Sequence, residues 1–146
     1  KLELAKAVGA THTINASTCD AVGEVLEMTK GGCHYTFEAI GLKATAEQAF
    51  KMLQSGGVAT VIGMIPIGTM VEIHGVELLA EKKLQGSNMG SNRFRVDMPR
   101  FVDFYLDGKL HLDQMISKHI KLADVNDALQ ALKSGQEARH IIMFDQ

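Results

Sequence analysis

Short β-leaning runs alternate with stretches of helical spacing along the first half of the chain. Leu4 and Val8 share one face of an opening helix, and Gly9 stops it. Thr11 to Asn15 is short, β-leaning and predicted as a strand. Val22, Val25, Leu26 and Met28 fall near helical spacing, with Thr18 as the expected N-cap and Gly31-Gly32 beyond the end. His34 to Ile40 is predicted as the next strand, closed by Gly41. Thr45 to Leu53 carries Ala46, Ala49, Phe50 and Leu53 at helical spacing, and Ser55-Gly56-Gly57 is expected to turn the chain. Val58 to Gly63 is almost wholly apolar, as strands buried on both faces are. Helix and strand thus alternate, the pattern of a doubly wound α/β sheet.

The rhythm weakens further on. Val71 to Ile73 and Lys83 to Gly86 are predicted as short strands, with a helical turn from Val76 to Ala80 between them. After Gly90 the chain turns polar at Asn92-Arg93-Phe94-Arg95. Met98 to Leu106 is expected to be a helix stopped by Gly108, and Ile116 to Leu122 a half-exposed strand. Ala123 to Lys133 places Val125, Ala128, Leu129 and Leu132 on one face, with Gly135 as the stop and a closing strand from Arg139 to Phe144.

Composition narrows the function classes. The 146 residues are 46% hydrophobic and 22% charged, with 17 acids against 15 Lys and Arg. That is a globular balance without the basic excess that nucleic acid or an anionic membrane surface attracts. No apolar run reaches the length of a membrane span. Two cysteines, Cys19 and Cys33, form neither a CxxC nor a disulfide framework, so a reducing, cytoplasmic setting is expected. The chain opens mid-helix without an initiator Met, as a piece of something longer would.

Candidate chemistry gathers at three strand ends that carry glycine: Glu38-Ala39-Ile40-Gly41, Ile62-Gly63-Met64 and Gln85-Gly86-Ser87. Ligands of doubly wound sheets bind at such carboxyl ends, where glycine admits a flat or phosphorylated group to the backbone. Glycine also ends strands for no further reason, and spacing alone leaves both readings open. Histidines 12, 34, 74, 111, 119 and 140 show no i, i+2 or i, i+4 pair, so no metal site is expected within the chain. GxSxG, Walker and GxGxxG strings are absent. Arg93, Arg95 and Arg100 form a basic patch, either a solvated helix start, the reading favoured for Arg100, or a phosphate contact, and Arg139 is placed to reach a phosphate.

The ordered strings Leu4-Ala5-Lys6-Ala7-Val8-Gly9-Ala10-Thr11, Phe37-Glu38-Ala39-Ile40-Gly41, Gly56-Gly57, Val61-Ile62-Gly63 and Gly86-Ser87-Asn88-Met89-Gly90-Ser91, with the ending Leu132 to Phe144, resemble the zinc-dependent alcohol dehydrogenases of the medium-chain dehydrogenase/reductase superfamily. The resemblance spans essentially the whole chain and corresponds to the family's C-terminal portion. It implies the C-terminal part of a Rossmann-type doubly wound parallel sheet, residues 1–88, and a segment returning to the catalytic domain, residues 89–146. The implied reaction is hydride transfer between an alcohol or aldehyde and NAD, with zinc bound by residues outside this segment.

By position in the family, Lys1 would lie beside the adenosine ribose. Ala39, Ile40 and Gly41 would form the strand end under the adenine side. Ile62, Gly63 and Met64 would run along the nicotinamide, with Ser87 and Met89 at its carboxamide. Arg139 would pair with the pyrophosphate. The resemblance implies no catalytic or metal-binding residue here. It implies a homodimer or tetramer with a seam through residues 69–90, near Val71, Ile73, Leu78 and Leu79. It also implies that Thr13 and Ile14, the third strand in the order 3-2-1-4-5-6, stand apart from the other strands. Two further readings stay open: a zinc-free quinone or enoyl reductase relative, and a non-catalytic nucleotide-binding or dimerisation module.

Overall fold

The computed structural model describes residues 1–135 and 137–144. They form two units, residues 15–92 and residues 1–14 together with the chain from 93 onward.

In residues 15–92, helix α2 (Ala21–Met28; α1 is Leu2–Ala7) precedes strand β1 (Cys33–Glu38), helix α3 (Lys43–Lys51), strand β2 (Leu53–Val61) and strand β3 (Lys83–Gly86). The sheet order is β1-β2-β3 and both pairings are parallel, so this is a mixed α/β unit of the expected class. Thr36 faces Ala59 across one pairing, and Ala59 faces Leu84 across the other. Helix α3 lies against β1 and β2. It buries Ala46, and packs Ala49 and Phe50 against Leu53 and Ala59, with Ile73 and Leu84 at the margin. The spacing 46, 49, 50 is the helical stripe read from the sequence.

The other unit holds α1, helix α4 (Phe94–Leu106), strand β4 (Lys118–Ile120), helix α5 (Val125–Lys133) and strand β5 (His140–Ile142). β4 and β5 pair in parallel. Ile120 and Ala128 are its buried apolar residues among those described. Leu129, expected on the apolar face of α5, is half exposed, because two strands of three residues offer little sheet to cover it. No helix among the described residues is long and apolar enough to cross a membrane.

Several predicted elements fold differently. Thr11 to Asn15 is irregular, not a strand. Strand propensity needs a partner ladder, and no described segment pairs with it. Its last residue instead opens an Asx turn, in which the Ser17 amide donates to Asn15 Oδ1 at 3.1 Å. That turn takes up Thr18, so α2 begins later. Asp20 caps it by accepting from the Val22 amide at 3.1 Å.

Ser55-Gly56-Gly57 does not separate two elements; it is a bulge inside β2. Cys33 pairs with Leu53 while Tyr35 pairs with Val58. Gly56 takes φ +76°, and a Cβ on Gly57 would meet the Cys33 carbonyl oxygen at 2.9 Å. Val71 to Ile73 is also irregular. Glu47 Oε1 accepts the Glu72 amide at 2.9 Å, and Lys43 bridges Glu47 and Glu72 at 3.4 and 3.1 Å, so side chains hold this stretch in place of a ladder. Helix α4 starts four residues before Met98. Asp97 accepts the Arg93 amide at 2.8 Å and caps a turn upstream of Pro99.

Among the described residues, one carboxylate is buried. Glu38, the last residue of β1, is 3% exposed. The Ile40 and Gly41 amides donate to its Oε1 at 2.8 Å each, and the Thr45 hydroxyl at 2.7 Å. Burial pushes the carboxyl up, but the Thr45 hydroxyl and the amides of Gly41, Ile40 and Leu42 together outweigh it, so its pKa lies below the ordinary 4.5.

Two outcomes follow for the full-length protein that carries this sequence. Phe50 is fully buried, so Phe50→Ala is expected to lower unfolding stability by about 3–5 kcal/mol. Denaturant titration reads this, and a loss under 1 kcal/mol (roughly the scale of a surface change) contradicts the packing. Because the folded pKa of Glu38 is depressed, its stabilisation is present above pH 4.5 and is lost as pH falls through the folded value. Thermal midpoints recorded from neutral pH into acid are expected to fall less steeply in Glu38→Gln than in the wild type; parallel curves contradict the assignment.

Candidate functional site

Parallel strands joined by crossovers bring their carboxyl ends to one edge of the sheet. Here those ends are Glu38 of β1, Val61 of β2 and Gly86 of β3, aligned by the pairings Glu38 with Val61 and Val61 with Gly86. Eight of the ten sequence-predicted site residues lie on the turns just beyond them: Ala39, Ile40, Gly41, Ile62, Gly63, Met64, Ser87 and Met89.

The turns after β1 and β2 touch through glycine. The Glu38 carbonyl accepts the amides of Ile62 and Gly63 at 2.7 and 3.0 Å. A Cβ on Gly63 would fall 2.2 Å from the Gly41 nitrogen and 2.6 Å from Glu38 Oε2. A Cβ on Gly41, at φ +91°, would fall 2.6 Å from the Met64 carbonyl oxygen. No side chain fits at either position without moving backbone, so both glycines answer to a close approach of two turns. The third turn joins through the Ser87 amide, which donates to the Val61 carbonyl at 2.9 Å. Beyond it Met89, Gly90 and Ser91 all take positive φ, at 50°, 72° and 52°.

The side chains on these turns are apolar and open. Ile40, Ile62, Met64 and Met89 are all exposed, Met64 at 91% and Met89 at 87%. A groove of about 330 Å³ opens beside the end of β1, lined in part by Phe37, Ala39, Ile40 and Gln48. Its size falls at the low end of small-molecule sites. Such a surface suits a flat ring laid over backbone.

Lys1 and Arg139 belong to the other unit. Lys1 stands at the start of α1 without a side-chain capping bond. Arg139 is exposed and directly precedes β5. Its amide donates to the Ser117 hydroxyl at 3.3 Å, and its carbonyl accepts the Ser117 amide at 2.8 Å. The next residue, His140, has a buried ring whose Nε2 bonds Glu137. Among the described residues no group of three His, Cys, Asp or Glu side chains could hold a metal ion.

Sequence reasoning did not single out Glu38, the buried carboxylate beneath these turns. Its signal was a carboxylate ending an otherwise non-acidic strand, with glycine three residues on and threonine seven on.

The family model described as zinc-binding dehydrogenase matches residues 1–107. Alcohol dehydrogenase class-3 of Cereibacter sphaeroides is 31% identical over 153 residues, covering 99% of this chain and 41% of its own. Benzyl alcohol dehydrogenase of Acinetobacter calcoaceticus superposes with a TM-score of 0.91 at 31% identity, covering 99% of this chain and 40% of its own. A putative zinc-binding dehydrogenase of Sinorhizobium meliloti, crystallised bound to NADP, superposes with a TM-score of 0.73 at 30% identity, over 88% of this chain and 37% of its own. The chain thus spans about two-fifths of the length of these relatives. With the parallel sheet and the glycine turns at its strand ends, these matches establish that the chain belongs to the zinc-binding dehydrogenase family.

Proposed function

We propose that this chain is the nicotinamide-dinucleotide-binding portion of an alcohol dehydrogenase. The observation that carries the reading is the set of three aligned strand ends. Glycine turns there expose backbone beneath the open apolar side chains of Ile40, Ile62, Met64 and Met89. The NADP bound by the Sinorhizobium relative supports the ligand class. NAD is the coenzyme of this reading, zinc belongs to the complete enzyme, and the substrate is an alcohol or its aldehyde. When bound, the dinucleotide supplies the hydride carrier.

The chain's own residues bind and orient. Ala39, Ile40 and Gly41 form the floor under the adenine side, next to the groove beside β1. Ile62, Gly63 and Met64 lie along the nicotinamide, with Met64 limiting the ring's tilt. Ser87 and Met89 hold the carboxamide end. Lys1 meets the adenosine ribose, and the Arg139 guanidinium grips two pyrophosphate oxygens. Residues 1–88 belong to the coenzyme domain and 89–146 to the segment returning to the catalytic domain. The assembly is a homodimer or tetramer, seamed along residues 69–90 near Val71, Ile73, Leu78 and Leu79; Leu78 and Leu79 are exposed, whereas Ile73 packs against the core. Both cysteines are free thiols, which fits a reducing, cytoplasmic setting.

Calorimetric titration of the full-length protein with NADH and NADPH tests the reading. Saturable binding of NADH, tighter than NADPH, is expected; binding of neither contradicts it. Arg139→Ala is expected to weaken NAD binding by about 1.5–3 kcal/mol, the range for hydrogen bonds to charged groups. An unchanged dissociation constant removes Arg139 from the site. Joint replacement of Cys19 and Cys33 by Ala is expected to leave the metal content measured by atomic emission unchanged. Loss of zinc places ligands in this chain.

A further inference from the structure

We infer that Glu38 is a positioning residue for the dinucleotide. Its buried carboxylate and its main-chain carbonyl together set the spacing between the β1 and β2 turns on which the coenzyme lies. The inference rests on the proposed dinucleotide function and deepens it. Glu38 is 3% exposed, and both it and Thr45 line the groove beside β1.

Three observations converge. The first is the hydrogen bonding of Oε1, which accepts from Ile40, Gly41 and Thr45 within 2.8 Å. These three donors span the turn from β1 into α3, so one oxygen fixes both the turn and the first turn of the helix. Charge-assisted bonds of this kind are roughly twice as strong as neutral ones.

The second is the main chain. The Glu38 carbonyl accepts both Ile62 and Gly63 amides, fixing the start of the next turn. One residue therefore holds both turns, through its side chain on one side and its backbone on the other.

The third is the remaining oxygen. Oε2 is buried and has no hydrogen-bond partner among the described residues. It faces the Gly63 Cα, where a Cβ would stand 2.6 Å away. A buried oxygen without a partner is costly. Here that oxygen lies where the two turns already meet, beside Gly63, whose backbone abuts Gly41. A shorter or apolar side chain would release the Ile40 and Gly41 amides and the Thr45 hydroxyl, so the β1 turn beneath Ile40 would lose its anchor.

The test compares four variants of the full-length protein, using NADH as the probe at a temperature where each is folded. Glu38→Ala removes the acceptor, and is expected to raise the NADH dissociation constant about tenfold, equivalent to about 1.4 kcal/mol. The KM for the dinucleotide should rise with it, while the KM for the alcohol stays put. Glu38→Gln keeps an acceptor oxygen and the volume, and is expected to restore most of the affinity. Leu53→Ala, at the opposite end of β2, should lower the thermal midpoint and leave NADH affinity unchanged, which separates loss of stability from loss of positioning. If Glu38→Ala does not fold, Thr45→Val decides. It deletes one of the three donors, and is expected to raise the dissociation constant about threefold, from loss of one bond to a charged group whose other donors remain.

A folded Glu38→Ala protein that binds NADH within about twofold of wild type overturns the inference, as does unchanged affinity in Thr45→Val; a twofold change is under the contribution of a single hydrogen bond. Glu38→Ala and Leu53→Ala weakening NADH equally also overturns it, since stability alone would then explain the effect. A wild-type protein that binds neither NADH nor NADPH overturns the proposed function itself, and the inference with it.

Discussion

A carboxylate taken out of water at the end of an edge strand needs donors, and their supply shapes this unit of the protein. Glu38 closes β1 and gathers the Ile40 and Gly41 amides and the Thr45 hydroxyl on one oxygen. Those donors come from the turn and from the first residues of α3. The helix therefore starts where the carboxylate can use it, and the negative charge lies near the end of the helix that favours it. Starting there, α3 delivers Ala49 and Phe50 onto Leu53 and Ala59 of β2, which builds the core. The Glu38 carbonyl then draws in Ile62 and Gly63, so the turn after β2 leaves the sheet against the turn after β1. Core and strand-end surface share one origin.

The glycines follow from that closeness. Gly41 and Gly63 stand where backbone meets backbone, and their neighbours leave no room for a Cβ. The same crowding that forbids side chains inward turns Ile40, Ile62 and Met64 outward, where they are exposed. An apolar rim over tightly packed backbone is an unusual surface to leave uncovered in water, and a planar ring is the kind of ligand it fits.

Much of this was legible in the sequence wherever local chemistry decides. The stripe Ala46, Ala49, Phe50 marked α3, and the apolar run from Val58 marked β2. Glycine after each strand marked the turns that meet at one edge of the sheet. Legibility failed where partners decide. Thr11 to Asn15 has strand-forming residues but no neighbouring ladder among the described residues, so an Asx turn at Asn15 prevails. Val71 to Ile73 has strand composition too, but its backbone is held by the carboxylate of Glu47. The register shift opposite Cys33 absorbed Ser55-Gly56-Gly57 into β2, which propensity reads as a turn. Glu38 was visible as a letter in a motif, yet its burial and its three donors depend on how α3 and β2 fold back on β1.

The central claim is that the strand-end surface takes a nicotinamide dinucleotide. Methionine methyl resonances report on it most directly, because the chain has eight methionines and two of them, Met64 and Met89, sit on that surface. The full-length protein would be labelled at the methionine methyl carbons and titrated with NADH. The account predicts that the Met64 and Met89 signals, assigned by substitution, shift on binding, while Met28 on α2 stays in place. NADH binding that leaves Met64 and Met89 unmoved would contradict it.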